Sequence, residues 1–421
     1  MEKLKPKILL LITNLGKGGA QRVFYDQALA LSVNYEVIEV AFDKIDDRIY
    51  DTGFPLYYLD NKSLYNYWGS IGRLLNRAKL LKKMVKDQNA VMVISHMDGA
   101  NWVNSLSFSK AKKIFVVHGT VLHDQAQSRV MQWLRKKIII PFLYNEAEVV
   151  VSVSEGIVQE LKNNCSLESA INIPNFFDLE TIALKSQDLM IPEYRGLFEN
   201  CSVLITSGRL AEQKQQHYLF PIFKAVKERF PSVRLVILGD GELRNALMEQ
   251  AITYDLRLFS VWDEKLSLFD NDYDVYFMGH VSNPYQYLNK SRLFLFPSAW
   301  EGFPLALCEA MICGVPVLTT DCPTGPREIL SPLTSDDRYE LISAEYTENG
   351  VLLPLLNKAS AQNEWINAIL KLLNDPEKCD SIAASAKKRM QEFDRKKVLN
   401  KWQSLISELL NPKNEKKVTS H

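Results

Sequence analysis

The stretch RLFLFPSAWEGFPLALCEAMICGVPVLTTD (292–321) contains two apolar, strand-like runs with a helix-like run between them. RLFLFPS (292–298) and VPVLTTD (315–321) are apolar without alternation, as expected of parallel strands that are covered on both faces. The run LALCEAMICG (305–314) between them follows Pro304, which suits the first turn of a helix because its missing N–H costs nothing there. The stretch therefore predicts one strand–helix–strand unit of a parallel sheet.

The same alternation of strands and helices extends over the 421-residue chain in two series. The strand candidates of the first series are KILLLI (7–12), EVIEVAF (36–42), AVMVIS (90–95), KIFVVH (113–118) and EVVVSVS (148–154). Those of the second series are SVLITSG (202–208), RLVILGD (234–240), VYFMGH (275–280) and the two runs quoted first. We predict an α/β protein of two doubly wound, Rossmann-like domains, residues 1–185 and 200–394, that face a central cleft. A helix near 395–412 is expected to pack back on the first domain.

Composition limits the kind of protein this can be. Hydrophobic residues make up 47% of the chain and charged residues 24%, which is ordinary for a soluble globular enzyme. Lys plus Arg and Asp plus Glu are 50 each, and this balance argues against a dedicated nucleic-acid-binding protein. The six cysteines show no C-x-x-C spacing, so we expect reduced thiols in a cytosolic protein. No apolar run approaches the roughly 18 residues of a membrane span, so any membrane contact is expected to be peripheral.

Two carboxylates surround the start of the predicted helix at 305–314. Glu301 precedes it in a loop, and Glu309 lies about five residues inside it, roughly 7–8 Å along its axis. The free backbone amides between them, from Gly302 through Phe303 to Leu305, suit an anion. An acid, an anion-binding turn and a second acid match the sugar hydroxyls, diphosphate and ribose hydroxyls of a nucleotide sugar. For Glu309 alone, an ordinary salt bridge is the alternative.

A glycine-rich loop, NLGKGGAQ (14–21), follows the first strand. Gly16, Gly18 and Gly19 would let a phosphate approach the backbone at a helix N-terminus, although a plain strand-to-helix turn has the same composition. The loop is neither a Walker A motif nor G-x-G-x-x-G, because Gln21 occupies the place of the third glycine. Asp43, after the second strand, occupies the position of a ribose-binding acid in a dehydrogenase.

Cations and histidines follow three other strands. Arg209 and Lys214 in SGRLAEQK (207–214) would clamp a diphosphate, or else are solvated surface charges. His118 ends a strand just before a glycine and could hydrogen-bond a sugar or phosphate, or be a structural histidine held by a loop carbonyl. His96 is a weaker candidate of the same kind.

On these residues the sequence resembles the retaining glycosyltransferases of family 4, which have the GT-B fold. The matching motifs are GKGGAQRV (16–23), GRLAEQK (208–214), GDGE (239–242), ENGVLLP (348–354) and the E-x7-E pattern in 294–321. DCPTGPREIL (321–330) resembles a variant found in bacterial enzymes that build O-antigen, capsule or protein-glycan oligosaccharides. The motif EQKQQ (212–216) departs from the Lys-Gly of many relatives.

The resemblance implies a role for each matched residue. Arg209 and Lys214 would hold the donor diphosphate, Glu301 the transferred sugar, and Glu309 the ribose. His118 would contact the donor sugar from the N-terminal domain, and the first glycine loop would approach donor phosphate and acceptor. The donor would be a nucleotide sugar, with UDP favoured over GDP. No metal or other cofactor is expected, because the two cations and the helix terminus would replace it. DYD (272–274) precedes a strand and is interpreted as a polar loop, not a metal site.

Two basic segments suggest the location of the acceptor. GRLLNRAKLLKKMVK (72–86) and RVMQWLRKKIIIPFL (129–143) combine Lys and Arg with an apolar stripe and contain no acid. Such segments can lie on an anionic membrane, although a solvated helix face with a core stripe has the same pattern. The acceptor would then be a saccharide linked to polyprenyl diphosphate at the cytoplasmic membrane. An NAD(P)-dependent oxidoreductase and an inactive sugar-binding GT-B protein are the alternatives.

Overall fold

The structure is a computed structural model, and it describes residues 5–44, 49–59, 69–121, 129–263, 273–332 and 340–411. The chain divides into two compact units. One comprises the chain up to Asn175 together with the C-terminal segment from Lys396, and the other comprises Phe176–Arg395. The division thus lies at residue 175, whereas the sequence-based boundary lies between 185 and 200.

In the described part of the first unit, the strands form one parallel sheet with the order β3-β2-β1-β4-β5-β6-β7. The strands are β1 Lys7–Ile12, β2 Glu36–Ala41, β3 Leu56–Tyr58, β4 Met92–His96, β5 Lys112–Val117, β6 Val149–Ser152 and β7 Ala170–Asn172. The helices are α1 Gly19–Leu31, α2 Ser70–Asp87, α3 Asp98–Leu106, α4 Arg129–Leu134, α5 Ile140–Tyr144 and α6 Glu155–Cys165. A π-helical turn, Arg135–Ile139, joins α4 to α5. The strand order is that of a Rossmann sheet.

In the described part of the second unit, the sheet order is β10-β11-β9-β8-β12-β13-β15-β14. The helices are α7 Leu179–Ser186, α8 Pro192–Asn200, α9 Leu219–Arg229, α10 Arg244–Thr253, α11 Tyr285–Asn289, α12 Leu305–Cys313, α13 Pro326–Leu330, α14 Ala359–Leu373 and α15 Pro376–Met390. The strands are β8 Ser202–Ser207, β9 Val233–Leu238, β10 Leu258–Ser260, β11 Val275–Phe277, β12 Leu293–Phe296, β13 Val317–Thr320, β14 Glu345–Tyr346 and β15 Val351–Leu353. Only the edge pair β14–β15 is antiparallel among these strands. The last helix, α16 Arg395–Leu410, is grouped with the first unit from Lys396 onward.

The quoted stretch folds as predicted, into β12, α12 and β13. Both strands are fully buried, because helices cover both faces of the sheet. The helix ends at Gly314, whose φ of +78° is left-handed and would strain any other residue. Leu307, Ala310 and Met311 of α12 are fully buried, so this helix is held firmly against the core.

The prediction of an α/β fold with parallel sheets is confirmed. Each of the ten predicted strands is present, with ends that shift by up to a few residues. The sequence did not indicate the short edge strands β3, β7, β10 and β14, because two or three residues carry too little periodicity to detect. All six cysteines are unpaired thiols. Among the described residues, the helices are too short or too polar to cross a bilayer.

Candidate functional site

The candidate site of the second unit lies at the carboxyl ends of β8 and β12. These two strands are parallel neighbours, and β9 and β13 flank them on opposite sides. The order of connection reverses at this point, and open α/β sheets bind ligands at such a point. The loop with Arg209 and Lys214 follows β8, and the loop with Glu301 follows β12. The sheet thereby brings together two motifs that are almost ninety residues apart in sequence.

Lys214 and Glu301 form an ion pair in which Nζ lies 2.6 Å from Oε1. Glu301 is only 6% exposed, and the ammonium of Lys214 also lies 4.9 Å from the centre of the Phe296 ring. The loops are joined nearby by a hydrogen bond of 2.6 Å from Gln213 Nε2 to the Trp300 carbonyl oxygen. A buried carboxylate requires a partner, and Lys214 supplies it.

Helix α12 begins at Leu305, four residues after Glu301 of this ion pair. Its first intrahelical hydrogen bond runs from the amide of Cys308 to the carbonyl of Pro304, so the amides of Leu305, Ala306 and Leu307 precede the helical ladder. Pro304, the N-cap, has no side chain that could accept from them. These amides and the positive end of the helix dipole can bind an oxyanion.

Phe303 has a structural side chain. Its ring is 8% exposed and packs at 5.3 Å from the ring centre of Phe393 and 6.4 Å from that of Phe177. Only its backbone remains available for the predicted role in donor binding. Gly302 is likewise buried.

The segment DCPTGPREIL (321–330), which the sequence analysis did not assign to the site, contacts the backbone of Glu301 and the start of α12. The hydroxyl of Thr324 donates to the backbone carbonyl of Glu301. Gly325 has a φ of +90°, and a Cβ there would lie 2.7 Å from Cδ of Pro304. The DCPTGPREIL segment therefore fixes the turn between Glu301 and α12. Its resemblance to a family variant was the one signal in the sequence that could have pointed to this role. The contacts themselves depend on the fold.

Glu309 accepts a hydrogen bond of 2.9 Å from the hydroxyl of Tyr285 in α11. Its side chain is half-buried on the second turn of α12. Tyr285 is 5% exposed and was missed by sequence reasoning, because nothing in the local pattern connects it with a helix twenty residues later. Tyr285 orients one oxygen of the second carboxylate of the E-x7-E pattern.

Arg209 differs from Lys214 in its surroundings. Its side chain is exposed, and its backbone carbonyl accepts a hydrogen bond of 3.0 Å from Gln216 Nε2. The turn that carries it packs tightly on the GDGE turn, since a Cβ on Gly239 would overlap the carbonyl of Gly208 and one on Gly241 would overlap that of Leu210. GDGE thus has a structural role.

In the first unit, the glycine loop is a compact turn around Asn14. Its Oδ1 accepts hydrogen bonds from the amide of Gly16 at 3.2 Å and from Gln21 Nε2 at 3.0 Å. Gly18 and Gly19 are exposed at the start of α1. Gln21, which breaks the dinucleotide-binding pattern, therefore supports the turn itself.

Asp43 lies 3.6 Å from Arg77 in an ion pair, and the guanidinium of Arg77 stacks on the Phe42 ring at 4.2 Å. The acid that suggested a dehydrogenase is thus engaged with a basic residue of α2. An oxidoreductase is not favoured.

His96 and His118 form a pair at the ends of β4 and β5. His96 Nδ1 lies 2.9 Å from His118 Nε2, and the rings stack with centres 5.1 Å apart. His96 is fully buried and His118 partly so. Burial lowers the pKa of His118 to about 4, and burial with the adjacent His118 holds the pKa of His96 well below its usual value. Both rings are therefore neutral near pH 7.

Asp274, the last residue of DYD, is 3% exposed and pairs with Lys227 at 2.7 Å. Burial opposes its ionisation, but hydrogen bonds from Lys227 and the amide of Arg257 outweigh this effect and lower its pKa. The residue has a structural ion pair, while Asp272 lies outside the described residues. The segment 252–275 contributes the edge strand β10, and its residues 264–272 are not described.

Comparison with known proteins gives a consistent result. A family model described as "Glycosyl transferases group 1" matches residues 201–375. An uncharacterized glycosyltransferase of Methanocaldococcus jannaschii is 29% identical over 360 residues, which cover 79% of this chain and 83% of the relative. A Campylobacter jejuni enzyme, N-acetylgalactosamine-N,N'-diacetylbacillosaminyl-diphospho-undecaprenol 4-alpha-N-acetylgalactosaminyltransferase, is 25% identical over 399 residues, or 93% of this chain and 97% of that one.

Solved structures share the fold at lower identity. Anabaena HepE in complex with UDP has a TM-score of 0.72 at 18% identity and covers 95% of this chain and 99% of its own. The sucrose-phosphate synthase of Thermosynechococcus elongatus has a TM-score of 0.73 at 16% identity, with 97% and 100% covered. Both are GT-B proteins.

Proposed function

We propose that this chain, which is a glycosyltransferase with a GT-B fold and a group 1 domain over residues 201–375, is a retaining enzyme of family 4. It transfers a hexose or N-acetylhexosamine from a nucleotide sugar, UDP in the first instance, to a lipid-linked saccharide. The product belongs to a bacterial surface polysaccharide or glycan.

One observation carries the donor assignment: a Lys214–Glu301 ion pair of 2.6 Å, in which Glu301 lies four residues before the start of α12. A diphosphate would take over Lys214 and bond to the amides of Leu305 and Ala306. Glu301, released from the pair, would accept hydrogen bonds from sugar hydroxyls. Glu309, oriented by Tyr285, would accept from the ribose hydroxyls.

In the proposed reaction, the bond between the anomeric carbon and the diphosphate oxygen breaks. An acceptor hydroxyl forms the new bond on the same face of the sugar, so the configuration is retained. The acceptor's proton passes to the departing phosphate oxygen. Lys214 and the helix terminus stabilise the negative charge that develops on the diphosphate, and the enzyme's contribution is mainly positioning and electrostatic. We assign His118 to the same step, and no metal is required.

The names of two relatives support the lipid-linked acceptor. The Campylobacter jejuni enzyme described above acts on a diphospho-undecaprenol-linked sugar. An Escherichia coli relative, UDP-Gal:alpha-D-GlcNAc-diphosphoundecaprenol alpha-1,3-galactosyltransferase, is 34% identical over 153 residues, which cover 35% of this chain and 36% of that one. Its name also supports a UDP-linked donor.

The decisive experiment measures UDP or GDP release from a panel of nucleotide sugars, with and without diphospho-undecaprenol-linked acceptors, in the presence of EDTA. We expect acceptor-dependent release from one UDP-sugar, and an NMR spectrum of the product that shows the donor's anomeric configuration. Thermal shift with UDP, GDP and NAD serves as the binding counterpart. Stabilisation by NAD alone, or inverted product, would contradict the proposal.

We further propose that the acceptor is met at an anionic membrane surface, through the segment of α4, the π-helical turn and α5. Four large apolar side chains of this segment are exposed: Val130 (69%), Trp133 (57%), Ile138 (51%) and Phe142 (72%). Trp133 lies just before the π-helical turn and Ile138 within it. Lys136 and Lys137 lie beside them, and the segment contains no acid. On its inner side, Arg135 pairs with Asp98 of α3.

The outer face of α2 complements this segment. Ile71 and Leu75 are exposed in its first half, at 75% and 52%, and the exposed residues of its second half include Lys79, Lys82 and Lys83. Both α2 and α5 pack on α3, so the two surfaces belong to helices that share this neighbour. Exposed apolar groups beside lysines fit the interface of an anionic bilayer.

Co-sedimentation with vesicles tests this surface. We expect binding to phosphatidylglycerol-containing vesicles, weak binding to pure phosphatidylcholine, and a marked loss in the double variant Trp133→Ser, Phe142→Ser. Leu184→Ser, Leu189→Ser is the matched control, since these side chains of the second unit are 73% and 86% exposed. Equal binding by the two double variants would contradict the assignment, as would concentration-dependent dimerisation through Trp133 without vesicle binding.

A further inference from the structure

The pair of histidines in the first unit has a feature that the proposed function does not use. His96 is fully buried, and it contacts His118 through Nδ1 at 2.9 Å. Its other ring nitrogen, Nε2, is buried without a hydrogen-bond partner among the described residues. Phe24 packs edge-on against the ring, with centres 5.3 Å apart. His96 is thus positioned by its surroundings and has one polar neighbour, His118.

The buried Nε2 of His96 indicates which of the two rings donates the hydrogen bond between them. In a neutral pair, one ring donates and the other accepts. If His118 donated, His96 would carry its own proton on the buried Nε2, and an orphaned buried N–H is rare and costly. If His96 donates from Nδ1, its Nε2 is an unprotonated acceptor, which is the less costly group to leave unpaired. The second arrangement leaves His118 with its proton on Nδ1.

We infer that His96 is a positioning residue of the transferase: its Nδ1–H donates to His118 Nε2 and thereby fixes both the orientation of the His118 ring and its Nδ1–H tautomer. His118 then presents a hydrogen-bond donor to its ligand and does not act as a base through Nε2. This inference rests on the proposed function only in assigning His118 to the transfer step. A held imidazole is already oriented when the substrate arrives, and misorientation of a catalytic group can cost up to about a hundredfold in rate.

Two substitutions of His96 distinguish its effect on the orientation of His118 from its contribution to packing. His96→Phe keeps a ring but removes both nitrogens, whereas His96→Asn places an amide donor near the former Nδ1. We expect kcat to fall about tenfold or more in His96→Phe with little change in KM for the donor, and to recover in His96→Asn to within about threefold of wild type. In a His118→Ala background, His96→Phe should cause no further loss of kcat.

Ile94→Val is the control for destabilisation, since Ile94 is also fully buried in β4, two residues before His96, and its loss of one methylene leaves the pair untouched. We expect it to lower the melting temperature but not kcat. Equal losses in the Phe and Asn variants, a loss that persists without His118, or unchanged kcat in His96→Phe would overturn the inference.

A spectroscopic measurement distinguishes failure of the inference from failure of the proposed function. NMR of protein with ¹⁵N-labelled histidine reports the tautomer of His118 even if no nucleotide sugar is turned over. We expect Nδ1–H in the wild type and in His96→Asn, and a mixture or the opposite tautomer in His96→Phe. An Nε2–H tautomer of His118 in the wild type would refute the assignment. Absence of transfer with every donor, alongside the expected tautomers, would refute only the proposed function.

Discussion

At the scale of single residues, Lys214 is both the ion-pair partner of the Glu301 carboxylate and the cation that we assign to the donor diphosphate. In the proposed site, Glu301 would compete with the donor phosphate for Lys214 and would accept from the sugar only once the diphosphate has taken Lys214. Removal of either residue should sharply reduce transfer, but only removal of Lys214 should weaken nucleotide binding.

We expect Lys214→Ala to weaken UDP binding by about ten- to a hundredfold, because a hydrogen bond to a charged group contributes about 1.5–3 kcal/mol. Glu301→Ala should keep or slightly improve UDP affinity, while lowering kcat by at least about a hundredfold. Isothermal titration with UDP, together with the transfer assay, measures both effects. Lys224→Ala is the matched control, since Lys224 forms an ion pair with Asp255 on the surface of the same unit. Weaker UDP binding in Glu301→Ala would contradict the competition.

The hydroxyl of Tyr285 offers a second residue-scale prediction. Tyr285→Phe removes one hydrogen bond to Glu309 and leaves the ring in place. We expect UDP affinity to fall about fivefold, in line with a net contribution of about 1 kcal/mol for a neutral donor. Competition by inorganic pyrophosphate, which lacks ribose, should be unchanged. If both ligands lost affinity equally, Glu309 would not be the ribose contact.

At the scale of elements, the tight packing between the GRLAEQK and GDGE turns connects stability with the site. Gly241→Ala would drive a Cβ into the Leu210 carbonyl, so the turn before Lys214 must shift. Overpacking of this kind costs about 1–3 kcal/mol, and in a domain of this size each kcal/mol lowers the melting temperature by about 2–4 °C. We expect lower stability together with weaker UDP binding. Gly196→Ala in α8, whose new Cβ would meet only Asn200 at 3.8 Å, should not lower stability, since Ala suits a helix interior better than Gly, and should leave UDP binding unchanged.

Strands, helices and turns could be predicted from the sequence to different extents. Long apolar runs located every central strand except the three-residue β15, and the turn after β12 located Glu301 and the α12 amides, since strand ends and helix starts are local properties. The partners of these residues are not local. Lys214 meets Glu301 and His96 meets His118 because neighbouring parallel strands bring their carboxyl ends together, and Tyr285 meets Glu309 because α11 packs against α12. The motifs in the sequence predicted which residues belong to the site, but their contacts with each other depend on the fold.

At the scale of the whole molecule, formal net charge is zero, so protonation of a few groups can change stability without a large background of charge repulsion. His96, His118 and His217 all have pKa values lowered by burial. An unfolded chain therefore binds more protons than the folded one in the window between the ordinary histidine pKa near 6.5 and the folded value of His118 of about 4. Stability must rise with pH across this window and fall on acidification.

We expect the melting temperature to be level between pH 7 and 8 and to drop steadily from pH 6.5 to 5, where most carboxylates are still ionised. The double variant His96→Phe, His118→Gln lacks two of the three groups, so its melting temperature should depend much less on pH in this range. His280→Gln is the control, and it should show the wild-type slope. Thermal melts at half-unit pH steps, with ionic strength held constant, provide the measurement. An equally steep decline in the double variant would mean that other groups take up the protons, and that the histidine pair is not the acid-sensitive part of the fold.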